Sequence, residues 1–140
     1  SLADFKVSVI DDREEWASAE RFSEEIHVCC EDPELYLRRI PAPEHAYVVI
    51  TTHDHALDQR LIEQLTRAPL CYLGLIGSRG KWGRFHKRLK HRDELTELDR
   101  VRCPMGLDIG AQTPGEIAVS VVAELISTRH HVSTSVSSPT

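Results

Sequence analysis

The chain has 140 residues, 41% hydrophobic and 28% charged, with 17 Lys/Arg against 22 Asp/Glu and a formal net charge of −5. That length holds one domain around one core, and the mild acidity argues against bulk nucleic-acid binding. No apolar run approaches the ~20 residues of a membrane span, nothing near residue 1 resembles a signal peptide, and the four cysteines form no C-x-x-C, so a cytoplasmic, reduced protein is expected.

In chain order, Phe5–Ile10 alternates apolar and polar and runs into Asp11-Asp12-Arg13, the pattern of a strand ending in carboxylates. Residues 16–22 form a short connection, and Ile26–Cys30 reads as a second strand. Asp32-Pro33 is a favoured helix start, a cap followed by Pro at the first position, and Pro41-Ala42-Pro43 stops that helix near Ile40. Tyr47–Thr52 is the clearest strand, β-branched and uninterrupted. His53-Asp54-His55 follows, then an amphipathic helix with Leu57, Leu61, Ile62 and Leu65 on one face.

Cys71–Ile76 is a short apolar run without alternation, as in a parallel strand covered on both faces. It breaks at Gly77-Ser78 and continues as a basic helix to Arg92. A strand that stops at glycine and opens a helix gathers free N–H groups and the positive end of the helix dipole at one point, a recipe for holding phosphate. Between Arg79 and Arg92 lie seven Lys/Arg and no Asp/Glu, while the rest of the chain has ten Lys/Arg against 22 Asp/Glu. Most of that helix reads as a solvated face; Arg79 and Lys81 stand at the turn itself. Two named phosphate motifs are excluded. A P-loop would need Gly and Ser/Thr where Leu75 and Trp82 stand, and G-x-G-x-x-G fails at Leu75 or Arg79.

A short helix over residues 94–101 and a brief strand and turn over Cys103–Gly110 come next. Thr113-Pro114-Gly115-Glu116 is a capping box with Pro at the first helical position. The helix over Ile117–Ser127 is apolar on several sides and is expected to be well buried. The folded domain is therefore read as 1–127, with a disordered Ser/Thr-rich tail over 128–140. Cys30 and Cys71 lie in strand-like apolar contexts, where a thiol acts as a small hydrophobe.

Strands alternating with helices predict an α/β fold with a parallel sheet in three layers, and ligands of such sheets sit at the strands' carboxyl ends. Four such ends carry polar residues: Asp11-Asp12-Arg13, Thr52-His53-Asp54-His55, Gly77-Ser78-Arg79 and Gly106-Leu107-Asp108.

Four stretches together resemble the Rossmann-type domain of the XdhC/CoxI family of molybdenum-hydroxylase accessory proteins. They are Val9–Arg13, Tyr47–Asp58, Tyr72–Arg79 and Cys103–Ala118. The resemblance implies a cytoplasmic maturation factor, rather than a catalyst of turnover, that binds molybdenum cofactor (molybdopterin) or NAD(P) and serves a molybdenum hydroxylase such as xanthine dehydrogenase. A cysteine desulfurase is a further implied partner. The family's first strand and its glycine-rich turn do not occur here, so a partial domain is expected, with a gap in the sheet between the Phe5 and Tyr47 strands. A homodimer with an exchanged strand is one way to fill it. Gly80 stands where the family often has a basic residue, which is expected to loosen the loop.

The residues expected to bind cofactor are Asp11, Asp12, Arg13, Thr52, His53, His55, Gly77, Ser78, Arg79 and Asp108; none is assigned to catalysis or to a metal. Asp11 stands where Rossmann proteins place the acid that meets a ribose, and reads equally as a surface carboxylate or cap. Asp12 reads as a cap, and Arg13 as a salt-bridge partner or a 2′-phosphate ligand. His53 and His55 splay if extended, which is poor metal geometry; Asp54 or His55 caps the following helix. Asp108 faces a ligand or caps a turn. Cys103 is the thiol to watch. Two other readings remain: an NAD(P)-dependent oxidoreductase using His53 or His55 as acid or base, and a non-catalytic interaction or oligomerisation domain.

Overall fold

The computed structural model describes residues 4–18, 20, 22, 23, 25–92 and 98–130. They fall into two compact units, Ser1–Pro41 and Ala42–Thr140. Among the described residues no helix is long and apolar enough to cross a membrane.

The first unit is a parallel pair, β1 (Ser8–Asp11) and β2 (His27–Cys30), in the register Ser8↔His27 to Asp11↔Cys30. The strand begins three residues later than the alternation suggested. A short helix α1 (Pro33–Leu37) follows, its first turn capped by the Asp32 carboxylate, which accepts from the Glu34 N–H at 2.9 Å. It ends before Ile40.

The second unit holds a three-stranded parallel sheet in the order β3 (Tyr47–Ile50), β4 (Tyr72–Leu75), β5 (Val101–Arg102). Each crossover is helical, as parallel neighbours require: α2 (His55–Leu65) joins β3 to β4, and α3 (Arg79–Arg92) joins β4 to β5. Strand alternation puts Tyr72 and Gly74 on one face, and Leu73 and Leu75 on the other. Buried Tyr72 meets Met105 and Val121, with Tyr47, Ile117 and Leu125 packed around them, so α4 (Pro114–Arg129) covers that face. Leu61, Ile62 and Leu65 of α2 and Phe85 and Leu89 of α3 supply the buried apolar side of the other layer.

β1 and β3 each end a ladder, so the strands form two sheets rather than one.

Several local expectations are corrected. The helix opened by the capping box runs to Arg129, two residues past the expected boundary, and only Ser120, Val121 and Glu124 on it are buried. Val119 is 62% exposed, so α4 is apolar beyond what the sheet covers. Cys30 and Cys71 are exposed rather than packed as hydrophobes, and the Cys71 thiol lies 2.9 Å from the Glu44 carbonyl oxygen. The turn over Cys103–Gly110 holds no strand; β5 precedes it, and its Cys103–Pro104 peptide is cis. Gly80 lies inside α3 rather than in a loosened loop. Half of the helix expected over 94–101, and residues 131–140 of the tail expected over 128–140, lie outside the described residues; Leu98–Arg100 is a 3₁₀ turn.

One buried acid organises the α4 face. The Tyr72 ring lies along its own strand over Gly74, where any added Cβ would stand 2.6 Å from the ring. The phenol donates to Glu124 Oε1 at 2.5 Å, and the same oxygen accepts from the Gly106 N–H at 3.2 Å. Glu124, only 7% exposed, thus ties α4 to β4 and to the loop that carries Asp108.

Candidate functional site

In the first unit, Asp11 ends β1 with its carboxylate already engaged. Its Oδ1 accepts from the Arg13 backbone N–H and Nε at 3.0 Å each, and its Oδ2 from Arg13 Nη2 at 2.8 Å. This two-pronged contact raises the Arg13 pKa, and the guanidinium rests 5.2 Å from the Trp16 ring centroid. Arg13 is therefore a salt-bridge residue, the first of its two readings. The backbone N–H after Asp12 is taken by Asp11, so the capping role read for Asp12 belongs to Asp11.

The other seven predicted residues lie in the second unit. At the end of β3, Asp54 is the N-cap of α2, accepting from the Ala56 and Leu57 N–H groups at 2.9 and 3.2 Å. That settles the choice between Asp54 and His55. His53 and His55 are exposed, and the His55 ring stands edge-on to Phe85 at 6.1 Å. Thr52 turns inward: its hydroxyl lies 2.6 Å from Asp58 Oδ1.

At the end of β4 the chain passes through Gly77, whose φ of +152° and close neighbour both demand glycine; a Cβ there would meet Lys81 Cδ at 2.6 Å. Ser78 caps α3, its Oγ accepting from the Lys81 N–H at 3.1 Å. Arg79 is exposed at the first helical position. A side chain at Gly80 would meet Arg84 Nη1 and Ser78 Oγ at 3.7 Å each, so the Arg84 guanidinium folds back over the helix's first turn. At the end of β5, Asp108 is exposed on the loop held by Glu124 and by the Leu107 N–H, which donates to the Ser120 carbonyl at 3.1 Å.

The structure joins Thr52, Gly77 and Ser78 through two residues absent from the expected set, Asp58 and Lys81. Asp58 is 0% exposed. Its Oδ2 receives Lys81 Nζ at 3.3 Å, and Lys81 also donates to the Ile76 carbonyl at 3.0 Å. Lys81 is thus spent beneath the turn instead of facing a ligand. A signal for both was present: Asp58 falls on the Leu61/Ile62/Leu65 stripe of α2, and Lys81 on the Phe85/Leu89 stripe of α3. A charge on an apolar stripe is a buried charge awaiting a partner. Asp108 is not drawn into this cluster by any bond described.

Half-buried Cys103 stands within electrostatic reach of the pair. Burial pushes its thiol up to about 11, with Lys81 pulling down and Asp58 pushing up. Burial, and then the bond to Glu124, likewise raises the Tyr72 phenol above its usual 10.0. Both acids are raised on folding, so their stabilisation is complete below their unfolded pKa values, near 9.0 and 10.0, and fades as pH rises past them. Thermal midpoints should hold steady from pH 7 to 8 and fall above about pH 9. Tyr72→Phe should remove the part of the decline above about pH 10; an unchanged decline would show the phenol is not its source.

The chemistry on offer is anion binding: guanidinium groups from Arg79 and Arg84, and the helix N–H groups of Arg79 and Gly80, which have no intrahelical acceptor.

The family description XdhC Rossmann domain matches residues 1–125. A probable xanthine dehydrogenase subunit of Bacillus subtilis (strain 168) is 36% identical over 128 residues, which is 91% of this chain and 37% of that protein. An uncharacterized protein, YqeB, of Escherichia coli (strain K12) is 35% identical over 86 residues, 61% of this chain and 16% of its own length. The crystal structure of a xanthine dehydrogenase from Bacillus halodurans superposes with a TM-score of 0.75 at 32% identity, over 94% of this chain and 37% of that one. The chain thus spans 37% of the two Bacillus proteins and 16% of the Escherichia coli one, and its α/β Rossmann-type fold is partial beside the solved relative. With the match running over nearly all of its residues, the chain belongs to the XdhC Rossmann domain family.

Proposed function

We propose that this domain binds the phosphate end of an organic cofactor at the Gly77–Arg79 turn, in an accessory role to a xanthine dehydrogenase-type molybdenum hydroxylase. The accessory role rests on the family and on the names its relatives carry. The binding reading rests on one observation. Ser78 caps α3 with its own side chain, so the turn is preorganised, while Arg84 folds back over its first turn and Arg79 is exposed at the first helical position. Molybdopterin and NAD(P) both carry phosphate, and phosphate is the portion that these residues fit. The molybdenum cofactor would bring the metal and sulfur chemistry; the chain's residues hold and orient.

Calorimetric titration of the chain with NAD, NADP and AMP, the last a phosphomonoester like that of molybdopterin, tests the site. Arg79→Ala should weaken the best of these ligands more than tenfold, because a charge-assisted hydrogen bond contributes ~1.5–3 kcal/mol. Equal affinity in wild type and variant would overturn the assignment.

A further inference from the structure

We propose that the Asp58–Lys81 pair positions the phosphate turn from beneath and withholds the Lys81 ammonium from the ligand. Lys81 is the third residue of α3, where a free lysine would add a cation to the anion site. Its side chain instead runs back under the turn, filling the space a Gly77 side chain would need, 2.6 Å from its Cδ. The ammonium then bonds Asp58 Oδ2 and the Ile76 carbonyl, 5.5 Å from the Phe85 ring centroid. Asp58 in turn holds Thr52. Two side chains therefore pin the exits of β3 and β4, α2 and the first turn of α3 to one another.

The consequence is a division of labour on one helix turn. The charge shown to a phosphate comes from Arg79 and Arg84, while Lys81 sets where the turn lies. A lysine that touched phosphate and a lysine that shapes the turn differ in what their removal does to salt dependence. Screening weakens a contact between exposed charges much more than a buried pair.

The test has a ligand-free arm and a binding arm, and only the second rests on the phosphate reading. In the ligand-free chain, Lys81→Met keeps the stem and removes the ammonium, and Asp58→Asn keeps the shape and removes the charge. Amide hydrogen exchange at Ile76, Lys81 and Trp82, whose N–H groups bond the Ile50 carbonyl, Ser78 Oγ and the Ser78 carbonyl around the turn, should quicken at least tenfold in each, while Leu73 and Leu75 of β4 exchange as in wild type. Unchanged exchange at the turn, or an equal rise throughout the sheet, would overturn the proposal. If Asp58→Asn does not fold, Lys81→Met alone decides this arm.

In the binding arm, with AMP as probe, Lys81→Met should weaken affinity severalfold and leave the slope of log Kd against log salt as it was. A flatter slope would mean that Lys81 touches the phosphate, which also overturns the proposal. If AMP binds neither wild type nor Arg79→Ala, the phosphate reading fails by itself and the exchange arm still decides the positioning role.

Discussion

Asp58→Ala is expected to destabilise the domain by about 3–5 kcal/mol, the usual consequence of stranding one partner of a buried ion pair. The substitution leaves the Lys81 ammonium, 13% exposed, with the Ile76 carbonyl, and it leaves the Thr52 hydroxyl only its longer, 3.1 Å contact with the Asp54 carbonyl. A loss of that size is a large share of the ~5–15 kcal/mol a domain has. Urea unfolding followed by circular dichroism measures it directly. Asp58→Asn should cost less, because an amide oxygen still accepts from Thr52. An apolar pair, Asp58→Leu with Lys81→Met, should recover much of the loss, since replacing both charges removes the desolvation penalty along with the attraction. If Asp58→Ala costs under about 1 kcal/mol, the pair behaves as a solvated surface contact, and the account of a buried tie is wrong.

Phe85→Ala should cost about 3–5 kcal/mol, by lost transfer energy and by the cavity it leaves. Phe85 is 1% exposed and anchors α3 to the rest of the second unit. His55 meets its edge, and two cations, Lys81 and Arg88, lie 5.5 and 5.1 Å from its ring centroid. Removing the ring would lower the thermal midpoint by roughly 10–20 °C, taking about 4 °C per kcal/mol for a domain of this size. Phe85→Leu keeps most of the volume and should cost under about half as much. Equal losses for Ala and Leu would show that the aromatic contacts, rather than the filled volume, carry the stability.

Much of this fold was legible because the decisive signals are local. The Asp32-Pro33 and Thr113–Glu116 caps, the β-branched run at Tyr47 and the strand-to-helix break at Gly77 each depend on neighbours within four residues, and each stands where the residues placed it. The division of the strands into two ladders was legible only through the family pattern, since no property of β1 or β3 by itself says what lies beside it.

The site was less legible because it depends on which side chains are spent on one another. Thr52 reads as ligand-facing from its position at a strand end and Lys81 stands at the phosphate turn, and both turn inward to Asp58, a residue 23 positions away from Lys81 along the chain. Asp11 reads equally as a ribose acid and as a surface carboxylate or cap, and the guanidinium two residues on engages its carboxylate. The low exposure expected of α4 failed for a related reason. Hydrophobicity all round a helix says that it can be buried, and here the narrow sheet covers one side of it.

The Tyr72 ring over Gly74 constrains how this strand can drift through time. Any side chain at position 74 collides with the ring, and any retreat of the ring gives up the bond to Glu124 and leaves that acid with the Gly106 N–H. A change at 74 therefore becomes viable only after 72 has shrunk and 124 has lost its charge. The order of such steps is imposed by packing rather than by ligand. Three positions separated by up to 52 residues thus share one fate in descent, and lineages that abandon the glycine should be those in which tyrosine and glutamate have already gone.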